Sequence, residues 1–195
     1  MRPFTSLRLA VLLFSGWLAL PSTLPAQQAP PQPAKTLTPE QKALQQQWQI
    51  WFARHQALQA QAKQVYDAEM ARAKAADCPN ATTTFDFNVC YGRQTKITAG
   101  NLKAFEDIVR QLLVSPPHLA DQPPSPSAQT DEQRLADFNH IEQAWQQYRD
   151  IACRAGYRQF DGGTGGPSFQ SECELKFDRD HLRELDFLYG MVLHL

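Results

Sequence analysis

Four cysteines carry the clearest chemistry in this sequence: Cys78, Cys90, Cys153 and Cys173. Thiols in such a set either form disulfides or bind a metal ion. Structural zinc sites use closely spaced pairs such as CxxC, and the separations here are far wider, so disulfides are favoured. Four cysteines allow three pairings. Proximity along the chain favours Cys78–Cys90 and Cys153–Cys173, and each such link would stabilise the fold by about 3 kcal/mol.

The other residue types predict no catalytic machinery. The histidines stand in no HExxH or HxH arrangement, and no serine lies in GxSxG. Asp178 and Asp180 are predicted to form a solvated face rather than a general acid/base pair. We therefore expect no catalytic residue, no metal ligand and no cofactor, and a protein that is not an enzyme. A cluster of buried histidine and carboxylates assembled in three dimensions would change that expectation. The five histidines are His55, His118, His140, His181 and His194.

A glycine-rich run between the third and fourth cysteines is the strongest candidate for a binding loop. A phosphate-binding loop would need Gly-Lys-Ser/Thr after a strand, and neither the lysine nor a strand is indicated here. We interpret the run as a flexible loop closed by Cys153 and Cys173. The candidate binding residues are Arg154, Arg158, Gly162, Gly163, Thr164, Gly165 and Gly166.

The start of the chain is typical of a secretory signal. Arg2 and Arg8 give the first residues a positive charge, Leu9–Leu20 is apolar, and Pro21 ends the apolar run. Residues 1–26 are thus predicted to be a cleaved signal peptide, which places the protein in the periplasm or outside the cell. An oxidising compartment of this kind favours disulfides. We expect no membrane span in the mature chain.

The composition argues against a nucleic-acid-binding protein. The 195 residues carry a formal net charge of −1, whereas nucleic-acid-binding proteins cluster Lys and Arg. The apolar fraction of 43% suffices for one modest core. Nucleic acid is therefore not an expected partner.

The sequence pattern predicts that these candidate residues are carried by helices and the loops between them. A Pro- and Gln-rich leader, residues 27–37, precedes a helix over 38–76 that Thr38, Pro39 and Gln41 begin with a capping box. Further helices are predicted over about 84–113, 131–155 and from about 171. The fold is expected to be all-α: a bundle of about four helices, two of them long, stapled by two disulfides. Apolar residues at helical spacing carry this prediction: Leu44, Trp48, Trp51, His55, Leu58, Ala62 and Val65 in the first helix; Phe85, Val89, Leu102, Phe105, Ile108, Val109 and Leu112 in the second; Leu135, Phe138, Ile141, Trp145 and Tyr148 in the third; Phe177, Leu182, Leu185, Leu188, Tyr189 and Val192 in the last.

The run Trp145, Tyr148-Arg149-Asp150 and Cys153 resembles the signature of the LprI-like lysozyme inhibitor family. Together with the cysteine order, the similarity spans about residues 77–190. Three positions depart from the family pattern: Glu142 stands where it usually has Gln, His181 where it has Arg, and Asp178 where it has Thr. The resemblance implies a small helical, disulfide-stapled envelope protein and, for some members, binding and inhibition of lysozyme.

Two functional hypotheses follow. In the first, an exported binding protein inhibits lysozyme, and Arg154 and Arg158 beside the loop meet the carboxylates of the enzyme's cleft. In the second, a structural or assembly protein of the periplasm uses helix 38–76 to bind a partner or a second copy, anchored by Trp48, Trp51 and Phe52. Both take a protein as partner. The sequence does not predict the oligomeric state.

In the motif, Trp145 and Tyr148 are expected to face the core, and Arg149 and Asp150 to form a salt bridge near a helix end beside Cys153.

Overall fold

A computed structural model describes residues 37–119 and 125–194. The chain divides into Met1–Thr36 and Leu37–Leu195. The predicted signal peptide, and all of the predicted leader except Leu37, lie outside the described residues. The described residues form five helices and no strand: α1 (Pro39–Lys74), α2 (Thr84–Leu112), α3 (Asp131–Arg158), α4 (Gly166–Leu188) and α5 (Gly190–Leu193). The all-α prediction is confirmed, although four helices rather than two are long.

Three helices begin at the capping boxes that their sequences encode. Thr38, Thr83 and Thr130 each accept a hydrogen bond from the backbone N–H three residues on, and the side chain at that third position accepts one from the backbone N–H of the cap residue. These reciprocal bonds satisfy backbone donors that a helix start otherwise leaves free. Helix α2 runs through Gly92 and Gly100 without a break.

Helix α4 lies at the centre, packed against α2 and α3, with α1 along α2. The apolar core is shared between these helices and the short α5. It is built from one face of each helix: Leu58 and Ala62; Leu102, Phe105, Ile108, Val109 and Leu112; Phe138; Leu182 and Leu185; and Leu193. Phe105, Phe138 and Leu185 are almost wholly buried, which identifies the centre of the interior.

Both disulfides form as proximity predicts. The sulfur atoms of Cys78 and Cys90 are 2.12 Å apart, and those of Cys153 and Cys173 are 2.04 Å apart. The first links the α1–α2 connection to α2, and the second links α3 to α4. None of the helices in the described part of the chain combines the length and apolar character needed to cross a bilayer.

Several residues assigned to apolar faces are exposed. Phe85 and Val89 in α2, Tyr148 in α3 and Leu188 in α4 all face solvent, and Ile141 is at the border of exposure. The neighbouring helices cover only part of each apolar face. Helix α2 packs through its C-terminal half, so the apolar residues of its first turns remain exposed. In α1 only Leu58, Ala62 and Glu69 are buried, which leaves Trp48 and Phe52 exposed.

Helix α4 begins earlier than expected. The sequence suggested a start near Ser171, but Gly166 is already the first residue, and Pro167 occupies the first turn, where a missing N–H is tolerated. Gly166 and Pro167, predicted to belong to the loop, are therefore helical. Gly166 is buried, and a Cβ there would lie 2.8 Å from the Tyr157 ring.

Candidate functional site

The family-motif residues of α3 divide between two faces of the helix. Trp145 stacks on His181 of α4, with ring centroids 4.0 Å apart and planes inclined by 8°. The Arg149 guanidinium carbon lies 4.9 Å from the Trp145 ring centroid. This half of the motif joins α3 to α4. Tyr148 points outward, 63% exposed, and touches Phe177 edge-on. The expectation that Tyr148 faces the core is wrong: Trp145 and Tyr148 both contact α4, but Tyr148 meets Phe177 where most of its side chain remains in solvent.

Arg149 forms ion pairs with two carboxylates. Its Nε and Nη2 donate to Asp150 Oδ1 at 3.1 and 3.0 Å, which is the salt bridge predicted from sequence. That pair does not end the helix, since α3 continues to Arg158. Arg149 Nη1 also donates to Asp178 Oδ1 at 2.8 Å, across to α4.

Asp178 is fully buried, so the prediction of a solvated face holds only for Asp180. Burial raises the pKa of the Asp178 carboxyl, and the hydrogen bond and charge of Arg149 only partly offset that. Its second oxygen, Oδ2, has no hydrogen-bond partner among the described residues. Arg149 thus supplies only part of the compensation that a buried carboxylate requires.

Three titratable side chains meet in the interior beside the Trp145–His181 stack: Glu106 of α2, Glu142 of α3 and His181 of α4. His181 Nε2 lies 3.1 Å from both carboxylate oxygens of Glu142, and His181 Nδ1 lies 3.0 Å from Glu184 Oε2. We call Glu106, Glu142 and His181 the acidic cluster. It unites two of the positions that depart from the family pattern, Glu142 and His181.

The acidic cluster carries more negative than positive charge. Burial, followed by the charge of Glu142, raises the pKa of Glu106 to about 7. Arg110 Nη2 is 3.8 Å from Glu106 Oε2, too far for a hydrogen bond. Burial would lower the pKa of His181, but hydrogen bonds to Glu142 and Glu184 raise it overall.

Sequence reasoning did not find the acidic cluster, because its members are far apart in the chain. One signal was available: Glu142 falls on the apolar face of α3, four residues after Phe138 and three before Trp145. A charged residue inside an apolar stripe is buried with a partner or marks a site.

A second group of buried charges lies between α1, α2 and α4, and we call it the arginine cluster. Glu69 Oε1 accepts from Arg179 Nε at 2.9 Å and from Thr98 Oγ1 at 2.7 Å, while Asn101 Nδ2 donates to Glu69 Oε2 at 2.7 Å. Arg72 donates to the same carboxylate. Arg179 also clamps Asp77 through Nη1 and Nη2, at 2.8 and 2.6 Å.

These contacts change the titration of Glu69. Burial would raise its pKa, but the hydrogen bonds from Arg179, Thr98 and Asn101 and the charge of Arg72 outweigh burial and lower it. The arginine cluster is therefore balanced in charge, which is the pattern expected of a structural network.

The candidate binding loop, residues 159–165, joins α3 to α4 above the Cys153–Cys173 disulfide. It is a series of tight turns in which Gly163 N–H donates to Phe160 C=O at 2.7 Å and Gly166 N–H donates to Gly163 C=O at 3.2 Å. Asp161 and Gly162 have positive φ values of 46° and 79°. These turns define the path of the backbone through the loop.

Two side-chain contacts tie the loop to the bundle. Asn88 Nδ2 of α2 donates to Thr164 C=O at 3.3 Å. The Phe160 ring meets Phe169 of α4, with centroids 5.3 Å apart. Of the predicted binding residues, Arg154, Arg158, Gly162, Gly163 and Thr164 are exposed, Gly165 is half-buried, and Gly166 is buried. The exposed residues lie on one end of the molecule.

Apolar side chains adjoin that same end. Phe85, three residues before Asn88, and Val89, the residue after it, are both exposed. They line a hollow of about 300 Å³ with Arg93 and the Cys78–Cys90 disulfide. The loop, the two arginines and this apolar hollow provide the mixture of polar and apolar groups that a protein partner requires.

The model of the family described as lysozyme inhibitor LprI matches residues 75–185. The match includes the motif of α3, both disulfides, the candidate loop and the acidic cluster. Comparison with curated proteins and with solved structures gave no match. The chain belongs to the LprI lysozyme inhibitor family.

Proposed function

We propose that this protein is an exported inhibitor of lysozyme that binds the enzyme through the end of the bundle carrying the α3–α4 loop. Membership of an inhibitor family supports the activity. The observation that carries the choice of surface is the loop itself, which is exposed at its tip, set in tight turns, and closed below by Cys153–Cys173. A loop held in one conformation loses little entropy when it is bound.

Charge supports the same surface. Glycosidases of the lysozyme type place two carboxyl groups across the scissile bond, in a cleft that must stay accessible to substrate. Arg154 and Arg158, exposed in the last turns of α3, would meet those carboxylates. An arginine forms bidentate hydrogen bonds with a carboxylate, and such pairs are stronger than neutral ones.

Two features support export. Residues 1–26 have the pattern of a signal peptide, and both disulfides belong to an oxidising compartment. We therefore place the protein in the periplasm or outside the cell, where lysozyme is met. Nothing in this function requires the protein to be an enzyme.

A titration of muramidase activity tests the inhibition. Purified residues 27–195 are added to lysozyme, and we expect activity to fall with a stoichiometric end point at micromolar concentrations. The double variant Arg154→Glu/Arg158→Glu should weaken inhibition at least tenfold. Arg183→Glu is the matched control, because this exposed arginine lies 17 residues beyond Gly166 on α4, roughly 25 Å along the helix. Full activity of lysozyme at micromolar excess of the wild-type protein would contradict the proposal.

A second candidate function has one observation in its favour. In the first four turns of α1 the side chains of Trp48, Ile50 and Phe52 are exposed, and the Trp48 and Trp51 rings meet edge-on, 5.5 Å apart. This surface would suit a periplasmic structural or assembly protein that binds a partner or a second copy.

Light scattering on Trp48→Ala/Phe52→Ala separates the two candidates. A wild-type dimer that becomes monomeric in this variant would favour the assembly function. Phe85→Ala, which removes an exposed aromatic side chain elsewhere, is the control. A wild-type protein that is monomeric at 100 µM would exclude self-association through α1.

A further inference from the structure

The acidic cluster contains more lone pairs than the described residues can satisfy. An ionised carboxylate only accepts hydrogen bonds. His181 presents one ring nitrogen to Glu184 and the other to Glu142, so the arrangement requires either a second proton on the ring or a cation between Nε2 and Glu142. Either one adds a positive charge beside the Glu142 carboxylate.

Glu106 is the second, independent sign of a missing positive charge. Its carboxyl group is largely buried beside Glu142, and its ion-pair partner Arg110 lies 3.8 Å away, beyond hydrogen-bond distance, so the two carboxyl groups require a proton or a cation between them. The arginine cluster shows what the same bundle does with a buried carboxylate when the role is structural, since Glu69 has four donors.

We propose that Glu106, Glu142 and His181 form a binding site for a divalent first-row transition-metal ion, with Zn²⁺ as the best match. The ligand atoms of the three side chains lie within 4.8 Å of one another. Ligands that each bind one zinc ion at about 2.0–2.2 Å are roughly 3–4 Å apart, so only small side-chain shifts are needed. One imidazole and two carboxylates make three protein ligands, which leaves a fourth position for water.

The choice of ion follows from the donors. Mg²⁺ and Ca²⁺ prefer oxygen ligands alone, whereas imidazole suits Zn²⁺ and its neighbours. Glu184, hydrogen-bonded to His181 Nδ1 at 3.0 Å, holds the proton on that nitrogen and aims Nε2 at the site. Such a carboxylate behind a ligating histidine is a common feature of zinc sites.

Two surface hollows adjoin the cluster. Glu106 lines a hollow of about 320 Å³ with Lys103 and Arg149, and His181 lines a groove of about 830 Å³ between α3 and α4. Trp145 borders both. A bound ion would tie α2, α3 and α4 together beneath the family motif, and this role is independent of lysozyme inhibition.

Isothermal calorimetry on the purified, tag-free protein, stripped with EDTA, tests the proposal with ZnCl₂ as the probe. We expect one Zn²⁺ per chain with a Kd of about 1 µM or below. Co²⁺ should bind and give a visible absorption spectrum, and Mg²⁺ and Ca²⁺ should give no heat. Glu142→Gln keeps the shape of the side chain and should weaken Zn²⁺ binding at least tenfold.

The control variant is His194→Ala. His194 Nε2 lies 2.9 Å from Asp186 Oδ1 in an exposed pair without a second carboxylate, so its loss should leave Zn²⁺ binding unchanged. Circular dichroism confirms that each variant remains helical. Zn²⁺ should also raise the melting temperature of the wild type and of His194→Ala, but not of Glu142→Gln. No binding at 100 µM Zn²⁺, or equal affinity in Glu142→Gln, would overturn the proposal and would assign protons to the cluster instead.

Discussion

The arginine cluster and the acidic cluster are both buried where α4 meets its neighbours, yet they treat charge in opposite ways. In the arginine cluster, Arg179 binds both Glu69 and Asp77, Arg72 also binds Glu69, and every short contact pairs a donor with an acceptor. In the acidic cluster, two carboxylates lie beside one histidine, and Arg110 Nη2 is 3.8 Å from Glu106 Oε2. Buried charge is tolerated when it is paired, so the unpaired cluster is the one that requires another explanation.

The difference suggests a structural role for the arginine cluster and a binding role for the acidic cluster. The arginine cluster ties α1, the α1–α2 connection and α4 together. The acidic cluster lies beside Trp145 and Arg149, the half-buried part of the family motif. A network that is complete in the protein needs no ligand, whereas an incomplete one needs a proton or an ion.

Removal of the central arginine should have the largest effect on stability. Arg179→Met leaves Glu69 buried without its main partner, and we expect a loss of about 4 kcal/mol in the free energy of unfolding, measured with urea. The double variant Glu69→Leu/Arg179→Met removes the stranded charge as well and should recover most of that loss. A single variant that costs under 1 kcal/mol would mean that the arginine cluster is not a structural network.

The pH dependence of stability should differ in sign between the clusters. Glu106 has its pKa raised from 4.5 to about 7, so the folded protein binds more protons than the unfolded chain between these values. Stability therefore falls as pH rises through this window, by about 3 kcal/mol for this group. His181, whose pKa is raised from 6.5 by Glu142 and Glu184, adds to the decline above pH 6.5. Glu142, Arg110 and Glu184 are the charged groups that face the pair.

Glu69 contributes in the opposite direction. Its pKa is lowered from 4.5, so its contribution is present above pH 4.5 and is lost as pH falls through the lower folded value. Urea unfolding of metal-free protein from pH 4 to 8 should thus show a maximum near pH 5. Glu106→Gln should flatten the decline above the maximum and leave the acid limb unchanged. An unchanged decline in Glu106→Gln would assign it to another group.

A smaller difference in stability is expected between variants of two motif residues, Trp145 and Tyr148. Trp145→Ala removes the ring that stacks on His181 and should cost about 3 kcal/mol, because it opens a cavity beside the acidic cluster. Tyr148→Ala should cost under about 0.5 kcal/mol, since the side chain is exposed. Thermal unfolding of the two variants checks the pair. Equal losses would contradict the division of the motif into a buried and an exposed face.

The smallest effect is expected from an exposed pair. Asp186→Asn removes the partner of His194 near the surface, and the loss should not exceed about 0.5 kcal/mol. A loss as large as that of Arg179→Met would show that burial does not distinguish strong from weak ion pairs in this bundle.

The features that sequence predicted are local. Capping boxes at Thr38 and Thr130 act over three residues, and the disulfide partners are near neighbours in the chain, so both were within reach of sequence alone. The start of α4 was missed because Gly166 and Pro167 are common both in loops and in a first helical turn. The acidic cluster was missed because it depends on how three helices are rotated against one another, which periodicity does not specify.

Competition tests whether the loop end of the bundle occupies the cleft of lysozyme. Lysozyme is titrated into residues 27–195 by calorimetry, with and without a saturating chitooligosaccharide in its cleft. We expect the saccharide to raise the apparent Kd in proportion to its own occupancy, and Arg154→Glu/Arg158→Glu to weaken binding while Arg183→Glu does not. Binding that is unaffected by the saccharide would place the contact elsewhere on the enzyme and exclude the cleft.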